Sequence, residues 1–190
     1  FWSHGTHQSA GVGILVQQRF LQHFSSEVEF IDVIPGRLAC LRLHGPNGSL
    51  DIWGDYMYTG AGLTEEKRVR SQIRGAMAQG IADHRLTLSI VTGDWNYVSC
   101  HTDRWCSNTQ AWTGDRDTAE QQDTIANLST PHSLHELHQD HHTYFSKVAT
   151  SRLDRVYTNH HPSEQLDHNF GCSTLPRDRS TSTHTPLSFF

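Results

Sequence analysis

The stretch that decides the fold is "SIVTGDWNYV", residues 89–98. It reads as a buried strand that runs into a Gly-Asp-Trp-Asn corner. If the backbone stays extended through the corner, Asp94 and Asn96 point to one side and Trp95 to the other, into packing. A carboxylate and an amide side by side at the carboxyl end of a strand can orient a water and hydrogen-bond a phosphate oxygen. The plain alternative is an Asx turn, in which these residues only turn the chain.

Working outward, "TEEKRVRSQIRGAMAQGIADH" (64–84) reads as a helix, with Thr64 as N-cap and acids in the first turn. Val69, Ile73, Met77 and Ile81 fall four apart on one face of it. The strand before it lies within "LDIWGDY" (50–56), which "HGPNGS" (44–49) joins as a hairpin to "RLACLRL" (37–43). Strand, helix, strand in that order predicts an α/β layout with a crossover. Further strands are expected near 11–16, 152–157 and 185–189. Residues 99–150 read as loops and short helices, and 171–183 as an exposed turn-rich segment. No repeat or linker divides the 190 residues, so they read as one domain, long enough to bury a core without disulfide or metal support.

Composition narrows the function. A formal charge of -5 offers no general attraction to phosphates, so any nucleic-acid reading must rest on a site. No apolar run approaches the roughly 20 residues of a membrane span. The opening "FWSHGTHQSAGVGILV" has no signal-peptide pattern. Four cysteines without a C-x-x-C pair exclude a zinc ribbon and read as free thiols of a reducing compartment, nuclear or cytoplasmic. His132, His135 and His138 would share a face of a helix, but H-E-x-x-H fails at Gln139, and a solvated histidine-rich surface is the expectation.

Two more motifs carry candidate chemistry. "SRLDRVY" (151–157) puts Arg152, Asp154 and Val156 on one strand face and Leu153, Arg155 and Tyr157 on the other. A carboxylate inside a strand needs a partner, either a histidine or a neighbouring arginine. "STHTP" places His184 just before a proline and a terminal apolar strand.

In order, "AGVGILV", "LDIWGDYMYTG", "SIVTGDWNYV", "SRLDRVYTN" and "STHTPLSFF" resemble the endonuclease/exonuclease/phosphatase superfamily, most of all the apurinic-type endonuclease domains of LINE-type retrotransposons. The resemblance implies a four-layer α/β sandwich, DNase I-like, of two mixed sheets flanked by helices. It also implies roles. Asp94 activates the attacking water, and Asn96 and Tyr56 hold the scissile phosphate. His184 stabilises transition-state charge, oriented by Asp154. Arg152 is the expected nucleic-acid contact. DNA is the implied partner, Mg2+ the implied cofactor, and a reverse transcriptase the implied neighbour downstream.

The chain departs from the pattern twice. The family's terminal Ser-Asp-His is Ser182-Thr183-His184 here, one carboxylate fewer. The family's opening strands, which carry an Asn and the main magnesium-binding Glu, would precede Phe1, and the metal ligands are left unassigned. The expectation is therefore an N-terminally truncated endonuclease domain with weak magnesium binding and little or no activity. The alternatives are a phosphatase or phosphodiesterase acting on a small molecule or lipid, and a non-catalytic remnant.

Overall fold

The computed structural model describes residues 1–5, 11–25, 27–60, 62–82, 85–115, 117–160, 171–180 and 182–189. The elements in chain order begin with β1 (Trp2–His4), β2 (Gly11–Gly13), α1 (Gln18–Leu21), β3 (Val28–Ile34), β4 (Leu38–Gly45) and β5 (Gly48–Tyr56). Next come α2 (Leu63–Gly80), β6 (Thr87–Asp94), β7 (Arg104–Cys106), β8 (Ala111–Trp112), α3 (Thr118–Thr124) and α4 (Thr130–His132). The last are β9 (His135–Glu136), β10 (Tyr144–Phe145), β11 (Ala149–Ser151), β12 (Asp154–Thr158), β13 (Cys172–Thr174) and β14 (Leu187–Phe189).

The scaffold is a six-stranded mixed sheet in the order β3-β4-β5-β6-β12-β9. Its centre is the expected crossover, with β5 and β6 parallel and α2 between them. The hairpin before it closes through Gly45 and Gly48. Gly48 is required there: its φ is 154°, and a Cβ would lie 2.5 Å from the Leu86 carbonyl oxygen.

α2 covers one face of the sheet with Ile73, Met77 and the following Ile81, packed on Leu38, Cys40, Trp53, Val91 and Tyr157. This core sets the alternation of β5 and β6, because Trp53 and Val91 must face the helix. On the opposite face, Ile14, Leu41 and Leu43 form a smaller cluster, with Leu50 and Ile52 packed against it. The two-stranded β1-β2 and β13-β14 sheets supply further strands, and Val12 of β2 comes close above Gly54. Buried strand alternation on two faces is the signature of stacked layers.

Three expectations need correction. The helix starts at Leu63, with Gly62 at φ 93° as its N-cap and no side-chain cap, so Thr64 lies inside the first turn. Glu65 and Glu66 still favour the helix's positive end. Residues 99–150 are not only loops and short helices: β7, β8, β10 and β11 form a four-stranded sheet in the order β10-β11-β7-β8. Those strands are two or three residues long, too short for alternation to show. Finally, His132 ends α4, His135 is in β9 and His138 bonds Asp140, so the three do not share a helix face. The four cysteines are free.

Candidate active site

Strand register builds the site. Tyr56 of β5 lies opposite Asp94 of β6, and Asp94 opposite Asp154 of β12. Directly paired residues present their side chains to the same face, with strands about 4.8 Å apart. Three side chains far apart in sequence therefore stand in one row, at the carboxyl ends of the parallel pair. The row extends outward from Tyr56, whose N–H donates to the Arg37 carbonyl at 2.8 Å.

His184 closes the row from the other side. It forms a bridge with Tyr144, whose ring centroid lies 5.1 Å from the imidazole. Its own N–H donates to Ser182 Oγ at 2.9 Å, a local turn that fixes the residue just ahead of β14. Its Nδ1 is 2.9 Å from Asp154 Oδ2. The bond to Asp154 raises the His184 pKa, partly opposed by burial, and the Asp94 charge adds to the rise. Asp154 thus pairs with the histidine and with no arginine among the described residues.

Asp94 faces this pair, its Oδ2 4.0 Å from His184 Nε2. Its other oxygen accepts the Asn96 N–H at 3.1 Å. Burial first, then the Asp154 charge, raises its pKa to about 6, against the pull of His184 and the Asn96 bonds. Asn96 is not extended: its φ is 50°, a conformation that Asn tolerates better than most residues. Its Nδ2 donates to the Met57 carbonyl at 2.9 Å. Alternation thus fails as the reason why Asp94 and Asn96 meet, and a tight turn brings them together instead. Trp95 does point into packing, 2% exposed, with its ring centroid 4.7 Å from that of Tyr157. A cleft of about 390 Å³ lies beside the pair, lined by Asp154, Ser182, His184 and Thr185 among others.

Arg152 is the residue that the structure does not bring to this face. It is 2% exposed, and its Nε donates to Asp103 Oδ1 at 2.7 Å. It also pairs with Glu136 and reaches Ser99 Oγ at 3.0 Å. The buried Arg155 shares both carboxylates, with Asp103 at 3.1 Å and Glu136 at 2.8 Å. The reason is a break between β11 and β12. The N–H groups of Leu153 and Asp154 both donate to the buried Thr143 Oγ1, at 3.1 and 3.0 Å, and alternation does not carry across. Arg152 is a strut under the site rather than a DNA contact.

Two residues were not anticipated. Arg70, 3% exposed on α2, donates to the carbonyls of Tyr58 at 2.8 Å and Asn96 at 3.1 Å, tying together the chain segments that leave β5 and β6. Its signal was an arginine pair, Arg70 and Arg74, beside the apolar helix stripe. Asp55 is 4% exposed, and neither carboxylate oxygen has a hydrogen-bond partner among the described residues. Burial, with the charges of Asp94 and Asp154, raises its pKa well above the usual carboxylate range. Gly93 gives it room: a Cβ there would meet the Asp55 carbonyl oxygen at 1.9 Å and its Oδ1 at 2.5 Å. The same argument that flagged Asp154, a carboxylate inside a strand, applies to Asp55.

The magnesium implied by the resemblance lacks a matching donor set. Among the described residues no three of His, Cys, Asp and Glu are grouped to hold a metal ion. Asp154 and His184 bond each other, and Asp94 gives one oxygen to Asn96. An octahedral, oxygen-rich cage does not follow from what remains. Among the same residues no helix is long and apolar enough to cross a membrane.

These elements define a DNase I-like α/β fold. Among solved structures the chain resembles the AP endonuclease of Leishmania major, with TM-score 0.57 and 15% identity, covering 82% of this chain and 54% of that one. It resembles equally the endonuclease domain of the telomere-specific non-LTR retrotransposon TRAS1, with TM-score 0.55 and 16% identity, over 87% and 68% of the two chains. A third is the 3′ phosphatase NExo from Neisseria bound to a product DNA hairpin, with TM-score 0.59 and 17% identity, over 87% and 70%. The chain spans about half the length of the Leishmania enzyme. No protein-family model matches it, and neither does any curated protein sequence.

Proposed function

We propose that this chain is a phosphodiester-cleaving domain of the DNA-acting nuclease type, with Asp94, Asn96, Asp154, His184 and Tyr56 as its site. The observation that carries the reading is the Asp154–His184 pair, 2.9 Å apart, with Asp94 Oδ2 at 4.0 Å from the far imidazole nitrogen. Asp154 fixes the tautomer and favours the imidazolium. A phosphate oxygen beside Nε2 would then receive positive charge as it becomes more negative in the transition state. Asp94, ionised above about pH 6, is placed to take a proton from the attacking water. The Asn96 amide, held by the Met57 carbonyl and bonded to Asp94, stands beside the carboxylate and would have to exchange the Asp94 bond to donate to a phosphate oxygen. Magnesium, where a fuller ligand set holds it, would neutralise phosphate charge.

DNA as substrate is supported by what the similar structures are: an AP endonuclease, a retrotransposon endonuclease domain and a DNA-bound 3′ phosphatase. The last of these favours a second reading of the same site, removal of a 3′-terminal phosphate. Retrotransposon origin, with a reverse transcriptase in the same polypeptide, rests on the sequence resemblance and the TRAS1 likeness.

The test is turnover of supercoiled plasmid and of a 3′-phosphorylated oligonucleotide over a series of magnesium concentrations. Slow turnover that Asp94→Ala and His184→Ala each abolish supports the reading. Turnover of neither substrate, or turnover indifferent to both substitutions, rejects it.

A further inference from the structure

The row of site residues ends in an arginine on each side. At one end, the Arg37 guanidinium lies 4.7 Å from the centroid of the Tyr56 ring and 5.1 Å from that of Tyr58. At the other end, beyond His184 and Tyr144, the Arg177 guanidinium lies 4.2 Å from the Phe145 ring centroid. The backbone ties this end to the site, because Phe145 N–H donates to the Thr183 carbonyl at 2.8 Å, next to His184. Arg177 Nη1 approaches the same carbonyl at 3.4 Å.

Neither guanidinium has a carboxylate partner among the described residues. Stacking on a ring without a carboxylate partner sets them apart, since Arg19 and Arg104, which also have no ion pair among the described residues, bond Gln17 and Ser151 instead. Arg70, Arg74, Arg152 and Arg155 are buried and each is paired with carboxylates. Arg42 pairs with Asp51, and Arg68 with Glu65. Arg37 and Arg177 are half-exposed and rest on aromatic rings. A ring covers the face of a guanidinium and leaves its in-plane N–H donors free, the geometry that suits a phosphate.

The site between them needs such help. It presents Asp94 and Asp154 to an incoming anion, in a chain of net charge -5. His184 alone supplies positive charge within the row.

We infer that Arg37 and Arg177 are the two arms of a phosphate track, each binding a backbone phosphate on one side of the phosphate under attack. The inference rests on the nucleic-acid reading above and deepens it. A polynucleotide is the ligand, because two separate cations flanking a phosphoester site match a polymer with regularly spaced phosphates, which a small monoester is not. Neither arginine touches the reacting atoms, so both are positioning residues.

The experiment is the salt dependence of binding. A fluorescently labelled duplex oligonucleotide is titrated with the chain in EDTA, by anisotropy, between about 50 and 200 mM salt. Each phosphate contact contributes about 0.9 to the slope of log affinity against log salt. Arg37→Gln and Arg177→Gln are each expected to lower that slope by about 0.9, and the double variant by about 1.8. Arg68→Gln, on the outer face of α2, is expected to leave it unchanged. Arg37→Lys keeps the charge without the planar stack and is expected to keep the slope while weakening binding. A structural role for either arginine would not move the slope. Slopes equal to the parent's in both Gln variants, with DNA still bound, overturn the inference and leave the nuclease reading standing. Absence of DNA binding by the parent chain at every salt concentration overturns both.

Discussion

Asp154→Asn removes one charge and keeps the shape, which makes it a direct probe of the site's electrostatics. Asp154 acts on both neighbours in the same sense. It raises the His184 pKa through the 2.9 Å bond, and it is the second cause, after burial, of the raised Asp94 pKa. A neutral amide should therefore lower both. Asp94 rises from 3.8 to about 6, a cost of about 3 kcal/mol for ionising it. Burial is the larger cause and survives the substitution, so Asp94 should fall by less than half of this, about 1 kcal/mol or somewhat under one pH unit. His184 should fall toward the ordinary histidine value, having lost its main source of stabilisation. The window in which Asp94 is ionised and His184 protonated should thus move bodily to lower pH. NMR titration reads this without turnover, following the His184 ring protons (identified by their loss in His184→Gln) and the Asp94 side-chain carboxyl carbon. A His184 pKa unchanged or raised in Asp154→Asn would refute the reasoning, because the pair would then not be the source of the shift.

Three further outcomes follow from the same geometry. Thr183→Asp adds one exposed carboxylate beside His184 but not the glutamate that the resemblance expects as main magnesium ligand, so plasmid nicking should stay near the parent's level at every magnesium concentration tried. Asp103→Ala leaves Arg152 and Arg155 buried without it and should cost about 3–5 kcal/mol by urea unfolding. The Asp103 pKa is lowered by these arginines despite its burial, so its contribution is complete above about pH 4 and disappears as pH falls further; parent and Asp103→Ala stabilities should converge in acid. Asn96→Gly should be more stable than Asn96→Ala by about 1–2 kcal/mol, because only glycine accepts φ 50° without penalty, and equal stabilities would show that the corner is not left-handed.

What the sequence reveals depends on whether a signal is local. The hairpin at Gly45–Gly48, the apolar face of α2 and β6 all follow from spacing and turn chemistry within about 20 residues. Asp154 is legible as far as a carboxylate inside a strand asking for a partner, histidine or arginine; the choice of His184 comes from the resemblance, not from any local signal. The burial of Arg152 is not legible in its own segment, because the break in alternation comes from Thr143, ten residues before Leu153. Thr64 misled because a good capping residue lay two positions beyond Gly62, whose positive φ begins the helix. The burial of Asp55 is not legible beside Tyr56, since nothing local says that the strand is covered there. The pairing of Tyr56, Asp94 and Asp154 in one row is a property of sheet order, which no single segment contains.

The corner at Gly93-Asp94-Trp95-Asn96 posed a choice between a turn and a site, and the physical chemistry removes the choice. The Asp94 side chain accepts the N–H of Asn96, which is the Asx turn itself. That bond holds one carboxylate oxygen and so aims the other at His184. It also forces Asn96 into a left-handed conformation, from which its amide reaches Met57 on the neighbouring strand end. Trp95 is carried into the core by the same turn, and its burial against Tyr157 and Tyr97 fixes the corner from below. A side chain that closes its own turn is oriented before any substrate arrives, at no cost beyond that of the turn. Aspartate and asparagine suit this corner because their short polar reach closes the turn and, on the proposed function, would also present oxygen and nitrogen to a phosphate.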